Sequence, residues 1–335
     1  MESKCVAFYQ FGKPQDVLRV EGKMHSPLKQ GEVRVRMTAA PINPSDLIPI
    51  TGAYAHRISL PAIPGYEGVG IVEEVGPKVS KDLIGKRVLP LRGEGTWQQY
   101  VSTQAQWTIP IPGTMDDYTA AQLYINPVTA WILCTEVLSL KPDDILLVNA
   151  CGSSIGRIAA QLSKLLGFRM IAVTRNHTYT DELLNLGASQ VINTAEERLH
   201  SAVMELTNGA GATAAIDSIG GSSGTELASC VKSGGLFITI GLLSGIPVNW
   251  AHIAQTTKVH ANLFYLRHWN ERVSIRTWQQ TFGHLIGLIS EKRLSLMPPQ
   301  CEYPLTSVQE AVRTAQSGSG NRGKVFLTMS GARQR

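Results

Sequence analysis

The chain has 335 residues, 43% of them hydrophobic and 17% charged, with a net charge of +5. That length is too great for one ordinary core and suits two domains. No apolar run approaches a membrane span and no Lys/Arg block is present, so neither a membrane protein nor a nucleic-acid binder is expected.

The N-terminus, MESKCVAFYQFG, enters a strand at once, without the apolar stretch of a signal peptide or the Arg/Ser-rich stretch of a transit peptide, so a cytoplasmic protein is expected. Residues 4 to about 123 read as β-rich. Val33-Arg34-Val35-Arg36-Met37 alternates as a half-buried strand does. PINPSD (Pro41 to Asp46), LIPITGAY and PAIPGYEGVGIVEEVG (Pro61 to Gly76) follow, their Gly and Pro residues marking turns. Lys86 to Leu89 predicts a strand, and Gly95 to Trp107 a strand pair or bent strand. Ala120 to Leu140 reads as helical, interrupted at Asn126-Pro127.

The stretch from Asp144 to Arg175 organises the rest. Ile145 to Val148 is an apolar run typical of a buried parallel strand. NACGSSIG (Asn149 to Gly156) is a small-residue turn. A helix follows, with Ile155, Ala159, Leu162 and Leu166 on one stripe and Gly167 closing it; Arg169 to Val173 is a second strand. A βαβ unit with a glycine turn at the head of its helix places a pyrophosphate against free backbone N–H groups. Ser153 and Ser154 stand between Gly152 and Gly156, so the turn is not a full G-x-G-x-x-G. Dinucleotide binding is expected from the context of the turn. An NAD site offers a carboxylate after the second strand. This chain offers Thr174, Arg175, Asn176 and His177 instead, with no carboxylate before Asp181. Arg175 is either a partner for a 2′-phosphate, with His177 assisting when protonated, or a solvated strand-end charge; the first reading favours NADPH.

Beyond it, helices are expected near Thr180 to Leu186 and Ala195 to Leu206, strands at Ser189 to Asn193 and Gly235 to Gly241, and a strand and turn at Ala214 to Gly221. A last strand is expected at Lys258 to Leu266. Strand and helix alternating at this spacing mean a doubly wound parallel sheet. The tail predicts a helix at about Trp278 to Lys292, a strand pair around Met297 to Tyr303, a helix over Thr306 to Ser317 and a strand from Lys324 to Met329, all returning to the first domain. The five cysteines are odd in number and widely spaced, so free thiols and no zinc site are expected.

A β-rich domain carrying PGYEGVGIVEEVG, a central dinucleotide fold and a short return resemble the medium-chain dehydrogenase/reductase superfamily over nearly the whole chain. NPSDLIPITGAY (Asn43 to Tyr54), GTW (Gly95 to Trp97), INPVTAW (Ile125 to Trp131), NACGSSIG, VTRN (Val173 to Asn176), LFYLRHW (Leu263 to Trp269) and GKVFLTM (Gly323 to Met329) are similar to its 2-enoyl thioester reductase branch. Tyr66 stands where zinc-dependent members carry histidine. The resemblance implies a GroES-like catalytic domain (1–123 and 271–335) and a Rossmann domain (124–270). It implies reduction of the C=C bond of a trans-2-enoyl thioester, on CoA or acyl carrier protein. The alternatives are an NADPH:quinone or α,β-enone oxidoreductase and a non-catalytic NADPH-binding protein.

By the same resemblance Tyr54 is the proton donor and Trp97 lies near the catalytic site. Read alone, Tyr54 is a packed aromatic after Gly52 and Trp97 simple core. Cofactor contacts are implied at Asn43, Asn126, Gly152, Ser153, Ser154, Ile155, Gly156, Thr174, Arg175, Asn176, Gly241, Leu242, Phe264, Tyr265, Leu266 and Lys324. Ala55-His56 follows Tyr54 where proline is common in the family, and Ser154 replaces a usual glycine. Partners are expected to be a small-molecule substrate and a second copy of the chain, paired through the last strand of the nucleotide sheet.

Overall fold

A computed structural model describes residues 2–317 and 323–329. They fall into two units: Met1–Ile125 with Ser274–Ile286 and Leu296–Arg335, and Asn126–Val273 with Gly287–Ser295. In the first unit lie β1 (Glu2–Ala7), β2 (Arg19–Met24), β3 (Glu32–Pro41), β4 (Val69–Val75), β5 (Arg87–Pro90), β6 (Tyr100–Gln104) and β7 (Thr108–Pro110). The second holds β8 (Ile145–Val148), β9 (Arg169–Thr174), β10 (Gln190–Asn193), β11 (Ala212–Asp217), β12 (Val231–Thr239) and β13 (His260–Leu263). The tail adds β14 (Pro299–Pro304) and β15 (Lys324–Thr328) to the first unit.

The first unit is built on β3. Val33, Val35 and Met37 are buried, as the alternation requires, and Arg36 is exposed between them. Arg34 breaks the pattern: it is buried because Glu74 and the Ser26 carbonyl accept from its guanidinium at 2.5 Å each. The sheet runs β14-β15-β3-β4-β5-β7, with β6 also on β3. The expected strand pair around 297–303 is a single strand, β14, whose partner is β15 in parallel. A parallel partner needs a crossover, and the helix Val308–Gln316 stands between the two in sequence. β15 then pairs antiparallel with the end of β3 at Ala39 to Pro41. In the PGYEG run, Gly65 has φ +96°, and a Cβ there would stand 2.4 Å from both Thr96 Oγ1 and Trp97 Cδ1, so only glycine fits.

The second unit is one parallel sheet, ordered β10-β9-β8-β11-β12-β13. The order reverses between β8 and β11, and ligands of such sheets bind outside the carboxyl ends of the strands at that point. The helix Ser154–Leu166 starts on Ser153 and ends at Gly167, which has φ +85°. Its buried face is wider than the expected stripe: Gly156 through Ser163 are all buried, polar residues included. Gln161 explains part of this. Its Oε1 accepts from Ser295 N at 2.7 Å and Ser295 Oγ at 2.9 Å, and its Nε2 donates to the Ser295 carbonyl at 2.9 Å. Residues 287–295, expected with the first domain, therefore belong with the second unit. The helix expected from Ala195 begins at Leu199, because Asn193 draws residues 195–197 into a turn. The last strand ends at Leu263, and a helix, Leu266–Arg272, begins where strand was expected to continue. Among the described residues β13 pairs only with β12, at the sheet edge, with Leu263 51% exposed.

Candidate active site

The turn after β8 has the form expected of a phosphate-binding turn. Ser153 caps the helix, its Oγ accepting the Gly156 N–H at 3.4 Å, and Ser154 and Ile155 form the first helical turn. A helix start of this kind presents backbone N–H groups and the positive end of the dipole to an anion. A Cβ on Gly152 would lie 2.5 Å from the Tyr179 ring, and one on Gly156 would lie 2.5 Å from Cys151 Cα. Both glycines therefore allow close approach. Ala150 takes a left-handed φ of 52°, a strained value for a residue with a side chain. Beneath the turn, buried Arg157 donates to the Gly152 carbonyl at 3.2 Å and forms a two-pronged pair with Glu182.

At the end of β9 the four expected residues part company. Thr174 is buried and its hydroxyl donates to the Asn176 carbonyl at 2.9 Å; Asn176 Oδ1 accepts the Thr178 N–H at 3.0 Å. His177 lies 2.8 Å from Glu196, so an acidic neighbour already claims it. Arg175 is exposed and makes no ion pair among the described residues. Of the four, Arg175 alone offers a cation to a 2′-phosphate.

Sequence reasoning missed a polar seam at the switch point. Asn149, after β8, donates to Asp217 Oδ1 at 2.6 Å and accepts the Ser218 N–H at 2.8 Å. Asp217 also accepts the N–H groups of Ile219 and Gly220, at 3.0 and 3.1 Å. The Ser218 and Thr239 hydroxyls, at the carboxyl ends of β11 and β12, are buried and have no hydrogen-bond partner among the described residues. Orphaned buried hydroxyls are uncommon and fit the polar edge of a ligand. The signal was present in DSIGG, which reads only as strand and turn. Gly241 is appressed to the Ser218 carbonyl, where a Cβ would meet that oxygen at 2.7 Å, and Leu242 reaches toward Gly220. The Phe264 N–H donates to the Thr239 carbonyl at 2.9 Å; Tyr265 caps the next helix and Leu266 opens it. Asn126, half-buried, is the second residue of the helix Ile125–Ile132. The phosphate turn, the unpaired Arg175 and the orphaned hydroxyls fit a dinucleotide with a 2′-phosphate.

In the first unit three of the expected site residues are buried. Asn43 and Lys324, expected to touch the cofactor, are 1% and 7% exposed and bond to each other. Asn43 Nδ2 donates to Glu67 Oε1 at 2.7 Å. Glu67 Oε2 accepts the N–H groups of Tyr124 and Ile125, at 3.1 and 2.8 Å. Asp46 accepts from Asn43 N at 2.7 Å and Tyr66 N at 3.0 Å. The four side chains form a buried knot joining β3, β4 and β15. Burial pushes the Asp46 carboxyl up to about 7, against its hydrogen bond from Asn43. Burial raises Glu67 as well and lowers Lys324, whose charge the two carboxylates partly restore. Trp97, the third, is 0% exposed in the core and has Gly65 against its ring.

Tyr54 is half-exposed on a loop of two short 3₁₀ turns, Ile48–Thr51 and Ala55–Arg57. Gly52, with φ +93°, joins them and lies against Phe11. Among the described residues no three His, Cys, Asp or Glu side chains stand together as a metal group.

Comparison with known proteins reads the same architecture. Residues 29–113 match the alcohol dehydrogenase GroES-like domain and residues 154–280 the zinc-binding dehydrogenase domain. The mouse mitochondrial enoyl-[acyl-carrier-protein] reductase is 31% identical, over 97% of this chain and 88% of its own. This chain belongs to the zinc-independent medium-chain dehydrogenase/reductase superfamily. Among solved structures of that superfamily, a Bacillus thuringiensis protein described as a candidate NADPH:quinone reductase is 61% identical, with TM-score 0.96, covering 98% of this chain and all of that one. Escherichia coli quinone oxidoreductase, complexed with NADPH, is 26% identical with TM-score 0.89, covering 97% of this chain and all of that one. The superfamily's members among these relatives are oxidoreductases.

Proposed function

We propose that this protein reduces the C=C bond of a trans-2-enoyl thioester, carried on CoA or acyl carrier protein, at the expense of NADPH. The phosphate turn from Gly152 to Gly156 and Arg175 hold the cofactor, with Ser218 and Thr239 at its polar edge. Bound NADPH supplies a hydride to the β-carbon. Tyr54 gives its phenolic proton to the α-carbon, a role that suits a group protonated at neutral pH. The observation that carries the reading is the half-exposed Tyr54 of the TGAY run in a chain whose curated relative is an enoyl reductase. Quinone reduction is the second reading, favoured by the 61% identity to the Bacillus protein. NADPH oxidation with crotonyl-CoA, a long-chain enoyl-CoA and a quinone, measured side by side, separates the two. A higher kcat/KM for the quinone than for either thioester would replace the first reading by the second.

Arg175→Ala is expected to weaken NADPH by roughly 1.5–3 kcal/mol, the worth of a charge-assisted hydrogen bond, and to leave NADH nearly unchanged. Equal losses for both cofactors, by titration of cofactor fluorescence, would remove Arg175 from the phosphate site.

The exposed edge of β13 is an open template for another strand. A homodimer joined edge to edge through His260–Leu263 is proposed. Sedimentation at micromolar concentration should show a dimer, and Leu263→Arg should yield monomer. A monomeric wild type contradicts the proposal.

A further inference from the structure

Tyr54 heads a single 3₁₀ turn, Ala55–Arg57, in which the Arg57 N–H donates to the Tyr54 carbonyl at 3.0 Å. A 3₁₀ helix has three residues per turn, so side chains at i and i+3 eclipse. Arg57 accordingly lies over Tyr54, its guanidinium carbon 3.9 Å from the ring centroid. The cation is not spent elsewhere: Arg57 makes no ion pair among the described residues. The turn beneath is held too, since the Ala55 N–H donates to the Gly52 carbonyl at 3.0 Å and Gly52 seats on Phe11.

We propose that Arg57 is a positioning residue for Tyr54, holding the phenol ring by its face and stabilising the negative charge that appears when the phenol gives up its proton. The inference rests on the reading of Tyr54 as proton donor. In that step the Tyr54 O–H bond breaks and its electron pair stays on oxygen as phenolate. The proton forms a C–H bond with the α-carbon and discharges the enolate, and water returns a proton to the phenolate. A guanidinium over the ring attracts the phenolate more strongly than the neutral phenol. Because this attraction grows along the step, it acts on kcat rather than on substrate binding.

The test is a double-mutant cycle on the full chain with crotonyl-CoA and NADPH, using Arg57→Met, Arg57→Lys and Tyr54→Phe. Arg57→Met should lower kcat by about 2–30-fold, the rate equivalent of a cation–π contact, with KM and the unfolding midpoint little changed. Arg57→Lys should recover an intermediate kcat, having the charge without the planar stack. In the Tyr54→Phe background Arg57→Met should have no further effect, since the charge it stabilises never forms. The solvent deuterium isotope effect on kcat should rise in Arg57→Met, as proton transfer becomes more limiting. An unchanged kcat in Arg57→Met, or an equal loss with and without the Tyr54 hydroxyl, overturns the role of Arg57 alone. An unchanged kcat in Tyr54→Phe instead overturns the proton-donor reading beneath it.

Discussion

Replacing Tyr54 by phenylalanine should lower kcat on the best enoyl thioester by roughly 10²–10⁴-fold, the usual contribution of general acid catalysis. The substitution deletes only a hydroxyl. The ring keeps its place under Arg57 and the 3₁₀ turn keeps its backbone bonds. The lost interaction is made in the transition state, so KM and NADPH affinity should change little. His56, exposed on the same turn, is the neighbouring acid, and His56→Ala should be mild. If the phenylalanine variant keeps more than half of wild-type kcat while chemistry limits the rate, Tyr54 is a packing residue and the thioester mechanism loses its proton source.

The second large effect is on stability. Lys324→Met should destabilise the first unit by about 3–5 kcal/mol, because it leaves buried Glu67 and Asp46 without their cation. Methionine keeps the volume, so the loss reports charge and not a cavity. Urea unfolding followed by tryptophan fluorescence suits the purpose, since Trp97 and Trp278 are both buried in that unit. A loss below about 1 kcal/mol would mean that the knot is held by its backbone bonds alone. The pH dependence carries a sign. Asp46 holds its proton up to about 7 when folded, against 3.8 for the unreacted side chain. Between those values the native state binds more protons than the unfolded one, so this residue makes stability fall as pH rises. Glu67 shares the sign, and Lys324, lowered by burial, has the opposite one at higher pH. Asp46→Asn should therefore flatten the decline of thermal midpoint between pH 4 and 7, at the cost of one mismatched backbone N–H. An unaltered slope would show that Asp46 is ionised throughout.

What the sequence made legible was local. Ile145–Val148, the turn and the helix closed by Gly167 can be read because apolar period, cap and stop lie within one window. The knot could not be read that way. Lys324 and Asn43 are 281 positions apart, and Asn43 and Glu67 are 24 apart. A lone lysine in an apolar strand and a lone asparagine before proline carry no sign that they neutralise each other's burial. The packing of Trp97 is hidden for the same reason: nothing beside it in sequence shows Gly65 against its ring. Likewise Gln161 lies off the expected apolar stripe, and its burial is explained only once Ser295 is placed against it.

The cysteines bear on the chemistry in another way. Conjugated thioesters, enones and quinones are electrophiles that alkylate thiolates, so under the proposed function the protein is exposed to its own substrates. Four of the five thiols are buried, and burial pushes Cys134, Cys151 and Cys230 up to about 12. The thiolate is the reactive form, and at neutral pH these three hold almost none of it. Cys151 sits inside the phosphate turn itself, donating to the Val148 carbonyl at 2.9 Å, where an adduct would close the cofactor site. Half-exposed Cys301, on β14 rather than on the nucleotide unit, is the thiol on which such damage would register first.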